Sequence, residues 1–210
     1  MEDKAVQLGA ILAGGAAHRM GGRKADLVVG GRMLVEWTRL RIAPVCREIA
    51  LIGGEPLLAA EGVPTLPDIF PGAGSIGGVA TALKNAAETG GPDAFVLAVA
   101  CDMPLISENL LKLLISKMEG ADAVVPRTAK GLEPLCSLYR AGLYPLFEEL
   151  IGKGEFSIRK AFADARATYV EEDDLRVADP ALCSFVNLNT RADLEKFSRY
   201  LTADAAAFPR

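Results

Sequence analysis

The apolar run Val6–Ala13 passes without a break into Gly14-Gly15-Ala16-Ala17-His18-Arg19-Met20-Gly21-Gly22-Arg23-Lys24. A strand that empties into a glycine-rich turn constrains the fold strongly. Such turns expose backbone N–H groups that approach phosphate oxygens closely, and Arg19 and Lys24 add cations that neutralise charge there. The pattern points to a bound nucleotide. It is not a Walker A loop, which needs G-x-x-x-x-G-K-[ST], because Arg23 precedes Lys24 and Ala25 follows it. The dinucleotide fingerprint G-x-G-x-x-G is absent from this run as well.

The rest of the chain alternates apolar, strand-like runs with amphipathic stretches of helical length. Val6–Ala13, Glu48–Ile52, Phe95–Cys101, Ala123–Val125, Leu135–Tyr139 and Ala167–Val170 are read as strands. Met33–Ala43, Gly77–Ala87, Glu108–Met118, Leu143–Leu150, Ser157–Ala163 and Arg191–Tyr200 are read as helices, the last with Thr190 as N-cap and Asp193 in a capping-box position. Near-continuous apolar strands separated by helices predict a mostly parallel sheet covered on both faces, a three-layer α/β/α sandwich of Rossmann-like type. The segment Val63–Pro71 holds three prolines, so it is expected to form a short strand leading into an ordered loop.

With 210 residues, half of them hydrophobic, the chain suits a single domain spanning 1–210, its ends at 1–5 and 202–210 expected to be flexible. A net charge of −4 argues against sequence-independent nucleic-acid binding, so an anionic ligand needs a local cluster of cations. Cys46, Cys101, Cys136 and Cys183 form no C-x-x-C pair and are read as reduced core thiols. One histidine, His18, is too few for a Cys/His zinc site and is assigned no role. No signal-peptide run follows the charged N-terminus, and Ala94–Cys101 is far shorter than the roughly 20 residues of a membrane span. A soluble cytoplasmic protein without nucleic-acid or membrane partners is expected.

Three further segments carry candidate chemistry. Asp102 follows the strand Phe95–Cys101, where ligands bind in open parallel sheets, and a carboxylate there suits Mg²⁺ together with phosphate oxygens and water. Asp68 precedes Gly72, Gly74 and Gly77, which satisfy G-x-G-x-x-G but follow Pro71 instead of a strand. Asn187 and Asn189, two positions apart, are expected on one side of a strand, presenting amides to a polar ligand.

Together these motifs resemble the nucleotidyltransferases related to molybdenum cofactor guanylyltransferase. The resemblance rests on L-A-G-G-x-x-x-R-M-G-x-x-K from Leu12 to Lys24, the C-D-x-P of Cys101–Pro104, the segment around Asp68, Glu133-Pro134-Leu135, and F-x-N-x-N-T from Phe185 to Thr190. It implies the nucleotide-diphospho-sugar transferase type of sandwich. It also implies transfer of GMP from GTP to molybdenum-bearing molybdopterin, giving the guanine dinucleotide cofactor and pyrophosphate.

Carried onto this chain, the resemblance places Leu12, Ala13, Gly14, Gly15, Lys24, Gly53, Asp68, Gly77 and Asp102 around the nucleotide. Lys24, Arg19 and Asp102 become the catalytic groups, with Asp102 binding Mg²⁺ and Asn187 and Asn189 facing the acceptor. Other cofactor-biosynthesis proteins or the receiving molybdoenzymes are implied partners. The chain departs from the family pattern at Arg23, often Asp, and at Gly74-Ser75-Ile76, where G-P-L is usual. The alternatives are a cytidylyltransferase on a phosphorylated acceptor, an NAD-binding oxidoreductase built on Gly72–Gly77, and a non-catalytic nucleotide-binding adaptor.

Overall fold

In the computed structural model, which describes residues 5–13, 27–53 and 63–203, strand β1 (Val6–Leu12) lies between two parallel neighbours. On one side is β4 (Cys46–Ile52), followed at the edge by the short β5 (Thr65–Leu66). On the other is β6 (Phe95–Ala100). Beyond β6 come β9 (Cys136–Arg140), β7 (Ala123–Thr128) and β10 (Ala167–Glu171), giving the order β10-β7-β9-β6-β1-β4-β5. The two-residue β8 (Gly131–Leu132) hangs on β7.

The sheet is mostly parallel, as the alternation of elements predicts, with one reversal. β9 runs antiparallel to both β6 and β7, because β7 and β8 form a hairpin from which the chain returns between them. An apolar pentapeptide reads alike in either direction, so this polarity is not visible in composition.

Successive residues of the central strands point to opposite sides, as the pleat requires. Ile11, Leu97 and Val99 join one core, under helices α1 (Leu34–Ile42) and α3 (Glu108–Ile115). Leu8, Ala10, Leu12, Val96 and Ala98 join the other. That core lies under α2 (Ser75–Gly90), α4 (Tyr144–Gly152) and the single turn α5 (Ile158–Ala161). Both faces of each central strand are therefore dry, which is the three-layer arrangement. Gly9 lets α1 approach: a Cβ there would sit 2.8 Å from both Cys46 Sγ and Ile42 Cδ1.

A third, smaller core stands apart. Val29 and Leu34 belong to the hairpin of β2 (Val28–Val29) and β3 (Arg32–Met33) and to the start of α1, and they pack with Trp37, Leu188 and Phe197. Phe197 comes from α7 (Arg191–Ala203), whose Thr190 and Asp193 make the expected reciprocal cap: Asp193 N–H donates to Thr190 Oγ1, and Thr190 N–H donates to Asp193 Oδ2. The helix α6 (Glu172–Ala178) has no counterpart in the sequence reading; it buries only Leu175 and starts with three acidic residues that favour a helix N-terminus. Of the expected flexible ends, Ala5 and residues 202–203 are described, the latter closing α7.

Three of the cysteines are buried, Cys183 is half-buried, and none of the four is in a disulfide. Burial pushes the Cys136 thiol up to about 12, so it stays protonated and unreactive. Among the described residues no helix is long and apolar enough to cross a membrane.

At the edge of the sheet remote from the carboxyl ends of β1 and β6, Asp122 ties β9 to β10. Its carboxylate accepts two bonds from the Arg166 guanidinium, at 2.8 and 2.9 Å, and one from the Arg166 backbone N–H. Arg140 Nε lies 3.5 Å away and donates to the Ala121 carbonyl. The Arg166 hydrogen bond holds the Asp122 carboxyl below its ordinary 3.8. A depressed folded-state pKa adds stability above the unfolded value, and that stability is lost as pH falls through the folded one. Asp122→Asn is therefore expected to lower the urea midpoint at neutral pH, and the gap from the parent should close as both are titrated into the acid range. A gap independent of pH would show that packing, not ionisation, sets the value of this contact.

Candidate functional site

The chain runs from β1 outward to β4 and β5, then crosses back to β6 on the far side of β1. Strand order therefore reverses between β1 and β6, and in open α/β sheets the ligand crevice forms outside the carboxyl ends at that point. A cleft of about 570 Å³ opens there. Leu12 and Ala13 contribute the end of β1, Ile52 and Gly53 the end of β4, and Ala100, Cys101 and Asp102 the end of β6. Asp68, Gly72, Gly74, Ser75 and Gly78 form a second wall, with Leu135 and Asn187 closing the rim.

Asp102 is 4 % exposed and sits in a turn anchored from several directions. The Cys101 N–H donates to Leu12 O, extending the β1–β6 ladder by one step. The Cys101 carbonyl accepts from the buried Thr38 hydroxyl at 3.0 Å, and the Asp102 carbonyl accepts from Leu188 N–H at 3.0 Å. Arg41 Nε donates to Pro104 O. The carboxylate is thus delivered by a sheet end, a helix and the segment before α7.

Across the cleft, Asp68 Oδ1 accepts from Phe70 N–H at 2.9 Å and faces Thr81 Oγ1 at 3.2 Å, while Ile69 N–H donates to the same hydroxyl. These bonds fix the approach to α2. Gly74 caps that helix at φ 72°, ψ −147°, a conformation glycine alone adopts without strain. The first turn of α2 carries no acidic side chain, so its N–H groups and the positive end of the helix dipole present a surface for an anion at the cleft wall.

Of the sequence-derived site residues, Leu12, Ala13, Gly53, Asp68, Asp102 and Asn187 meet in this cleft. Gly14, Gly15, Arg19 and Lys24, with His18, lie outside the described residues. Gly77 and Asn189 are described but do not line this cleft. A Cβ on Gly77 would lie 2.8 Å from the Phe70 carbonyl oxygen, so this glycine packs α2 onto the turn before it, and within α2 it is Gly78 that lines the cleft.

The expected strand at Asn187–Asn189 is an extended segment without a ladder. It alternates as a strand does, with Leu188 buried and both asparagines exposed, but its Leu188 N–H bonds to Asp102 instead of to a neighbouring strand. Asn189 N–H is turned to the Asp193 cap. Sequence reasoning also missed what anchors this segment. The 7 % exposed Asp179 accepts from Cys183 and Ser184 N–H, and Ser184 Oγ accepts from Ser107 N–H. An Asp before Pro180 gave no signal beyond that of an ordinary turn. Finally, Pro67 to Pro71 separate β5 from Gly72, and Gly77 faces Phe70, so Gly72–Gly77 does not form the strand-to-helix turn of a dinucleotide site.

The fold and cleft define an open three-layer α/β protein with a glycine-walled crevice at its switch point. Residues 9–169 match the MobA-like NTP transferase domain. The chain is 34 % identical over 189 residues to a probable molybdenum cofactor guanylyltransferase of Pelotomaculum thermopropionicum, covering 90 % of each protein. It is 34 % identical over 203 residues to a molybdenum cofactor guanylyltransferase of Cereibacter sphaeroides, covering 94 % of this chain and 98 % of that protein. A solved structure of molybdopterin-guanine dinucleotide biosynthesis protein A from Archaeoglobus fulgidus superposes with a TM-score of 0.78 at 25 % identity, over 94 % of this chain and all of that one. The 2-C-methyl-D-erythritol 4-phosphate cytidylyltransferase of Thermus thermophilus shares the fold, at a TM-score of 0.67 and 19 % identity over 94 % of this chain and all of that one. The chain belongs to the MobA-like NTP transferase family.

The two adjacent glycines separate packing from cleft shape. A methyl on Gly77 meets backbone, so Gly77→Ala is expected to cost about 1–3 kcal/mol by overpacking. A methyl on Gly78 meets Leu12 Cδ2, the end of a side chain, at 3.0 Å, and the gain in helix propensity of about 1 kcal/mol offsets the repacking. Urea unfolding of both variants checks the order; equal losses would show that the turn at Phe70 yields as easily as a leucine methyl.

Proposed function

We propose that this chain transfers GMP from GTP to the terminal phosphate of molybdenum-bearing molybdopterin in the cytoplasm, releasing pyrophosphate. The observation that carries the reading is the convergence, in one cleft, of the Asp102 carboxylate with the anion-facing start of α2, in a chain whose relatives bear that activity in their names.

The acceptor phosphate is already an anion, so no general base is needed to make it a nucleophile. A new bond forms between an acceptor phosphate oxygen and the α-phosphorus; the bond from that phosphorus to the bridging oxygen breaks, and pyrophosphate leaves with the electron pair. The protein's work is to align two anions and to stabilise charge that grows on the leaving group. The N–H groups at the start of α2 are assigned to one side of that charge. Asp68, its geometry set by Phe70 and Thr81, is assigned to the nucleoside, with Gly53 beside it. Asn187 is assigned to the acceptor side of the rim. Arg19 and Lys24 are assigned to the phosphates on their sequence pattern alone.

Among the described residues no group of three or more His, Cys, Asp or Glu side chains could hold a metal. That donor set does not suit a structural metal caged by protein ligands. It does suit Mg²⁺, which takes one or two carboxylates and completes its shell with phosphate oxygens and water. Asp102 would hold it, and when bound the cation supplies charge neutralisation on the phosphate oxygens.

Thermal denaturation with GTP, CTP, UTP, ATP and NAD, each with and without Mg²⁺, tests the reading, because a ligand that binds only the folded chain raises its midpoint. A selective Mg²⁺-dependent rise with GTP is expected. A preference for CTP overturns the base assignment, and a rise with NAD alone overturns the reaction class. Asp102→Asn should lose the Mg²⁺-dependent part of the rise and at least about a hundredfold in turnover, with its circular dichroism unchanged.

A further inference from the structure

We infer that Thr38 is a positioning residue for the Asp102 carboxylate, its buried hydroxyl fixing the peptide plane from which that side chain projects. The inference rests on the assignment of Asp102 to the metal and extends it to α1.

The β1–β6 pairing reaches Leu12 and Ala100, and the Cys101 N–H still donates to Leu12. The next group, the Cys101 carbonyl, accepts from Thr38 Oγ1 at 3.0 Å across 63 residues of sequence. The carbonyl of Cys101 and the N–H of Asp102 belong to one planar unit. Holding that oxygen therefore sets the plane on the amino side of the Asp102 Cα. The plane on its carboxyl side is held too: Asp102 O accepts from Leu188 N–H, and Met103 N–H donates to Ala100 O. With both planes fixed, the direction of the Asp102 Cα–Cβ bond is fixed.

Thr38 is fully buried, and a hydroxyl without a partner there would be costly to desolvate. In helices, a threonine hydroxyl commonly bonds back to a carbonyl in its own preceding turn. Here it reaches out of the helix to the turn that carries Asp102 instead. Its bond comes from a side chain, so it can be removed while the backbone bonds around Asp102 stay.

The test is calorimetric titration of GTP, without acceptor, into the purified protein over a range of Mg²⁺ concentrations, with Mn²⁺ binding followed by electron paramagnetic resonance. Thr38→Val keeps the shape and removes the donor. It is expected to raise the Mg²⁺ concentration needed for half-maximal binding by about tenfold, the usual effect of removing a support behind a metal ligand. Thr38→Ser, which keeps the hydroxyl, should stay within about twofold of the parent on the same scale. Phe147→Leu, in the opposite core, supplies a loss of stability that should leave the Mg²⁺ requirement unchanged.

A Thr38→Val protein with the parent's Mg²⁺ requirement, beside an Asp102→Asn protein that has lost it, overturns the positioning role and leaves the metal assignment standing. A parent that binds GTP without regard to Mg²⁺ overturns both. Should Thr38→Val fail to fold, Thr38→Ala, which also lacks the donor, decides: a rise of about tenfold in the Mg²⁺ requirement supports the role, and the parent's requirement overturns it.

Discussion

The double pairing of β1, with β4 along one edge and β6 along the other, is the constraint on which the remaining structure depends. A strand in that position is dry on both faces and satisfied along both edges, so its only outlet is its carboxyl end. The register sets Leu12 opposite both Ile52 and Ala100, and the three strand ends arrive at the cleft at one level. Gly53 and Asp102 are there because the ladders bring them there, and both halves of the site inherit their spacing from the 4.7–4.9 Å separation of neighbouring strands. The reversal of strand order at β1 then leaves the crevice open above that row.

The small core of Val29, Leu34, Trp37, Leu188 and Phe197 gives this sheet-built site its outer frame. Trp37 Nε1 donates to Val29 O and meets Phe197 edge-on, which ties the β2–β3 hairpin to α1 and α7. Leu188 brings Asn187 to the rim and, through its N–H, reaches the Asp102 carbonyl. Segments remote in sequence are thus joined beside the cleft by five side chains and a few backbone bonds.

Much of this was legible from residue order, and the parts that were not share a physical cause. Strands dry on both faces announce themselves as apolar runs, so the sheet and its sandwich architecture followed from Val6–Ala13, Phe95–Cys101 and their like. The position of Asp102 followed from its place after such a run. The polarity of β9 did not, because it is set by the β7–β8 hairpin and not by the residues of β9. Nor did the rotation of α2, which turns Gly78 to the cleft and Gly77 against Phe70. Asn187 and Asn189 share a periodicity and both are exposed; Asn187 lines the cleft, and the Asn189 backbone N–H donates to the Asp193 cap, a difference periodicity does not carry. The anchors Thr38, Asp179 and Ser184 were invisible, since a lone polar residue becomes informative only when its distant partner is known.

Position 9 has a wider bearing than its missing side chain suggests. With Ile42 and Cys46 already at the limit of approach, glycine there sets the clearance between α1 and the sheet, and Thr38 rides on the same helix. Any larger residue would act as a shim, lifting the helix and drawing the Thr38 hydroxyl from the Cys101 carbonyl. A residue in the middle of β1, with no surface in the crevice, is in this sense the gauge block against which the height of the crevice floor is machined.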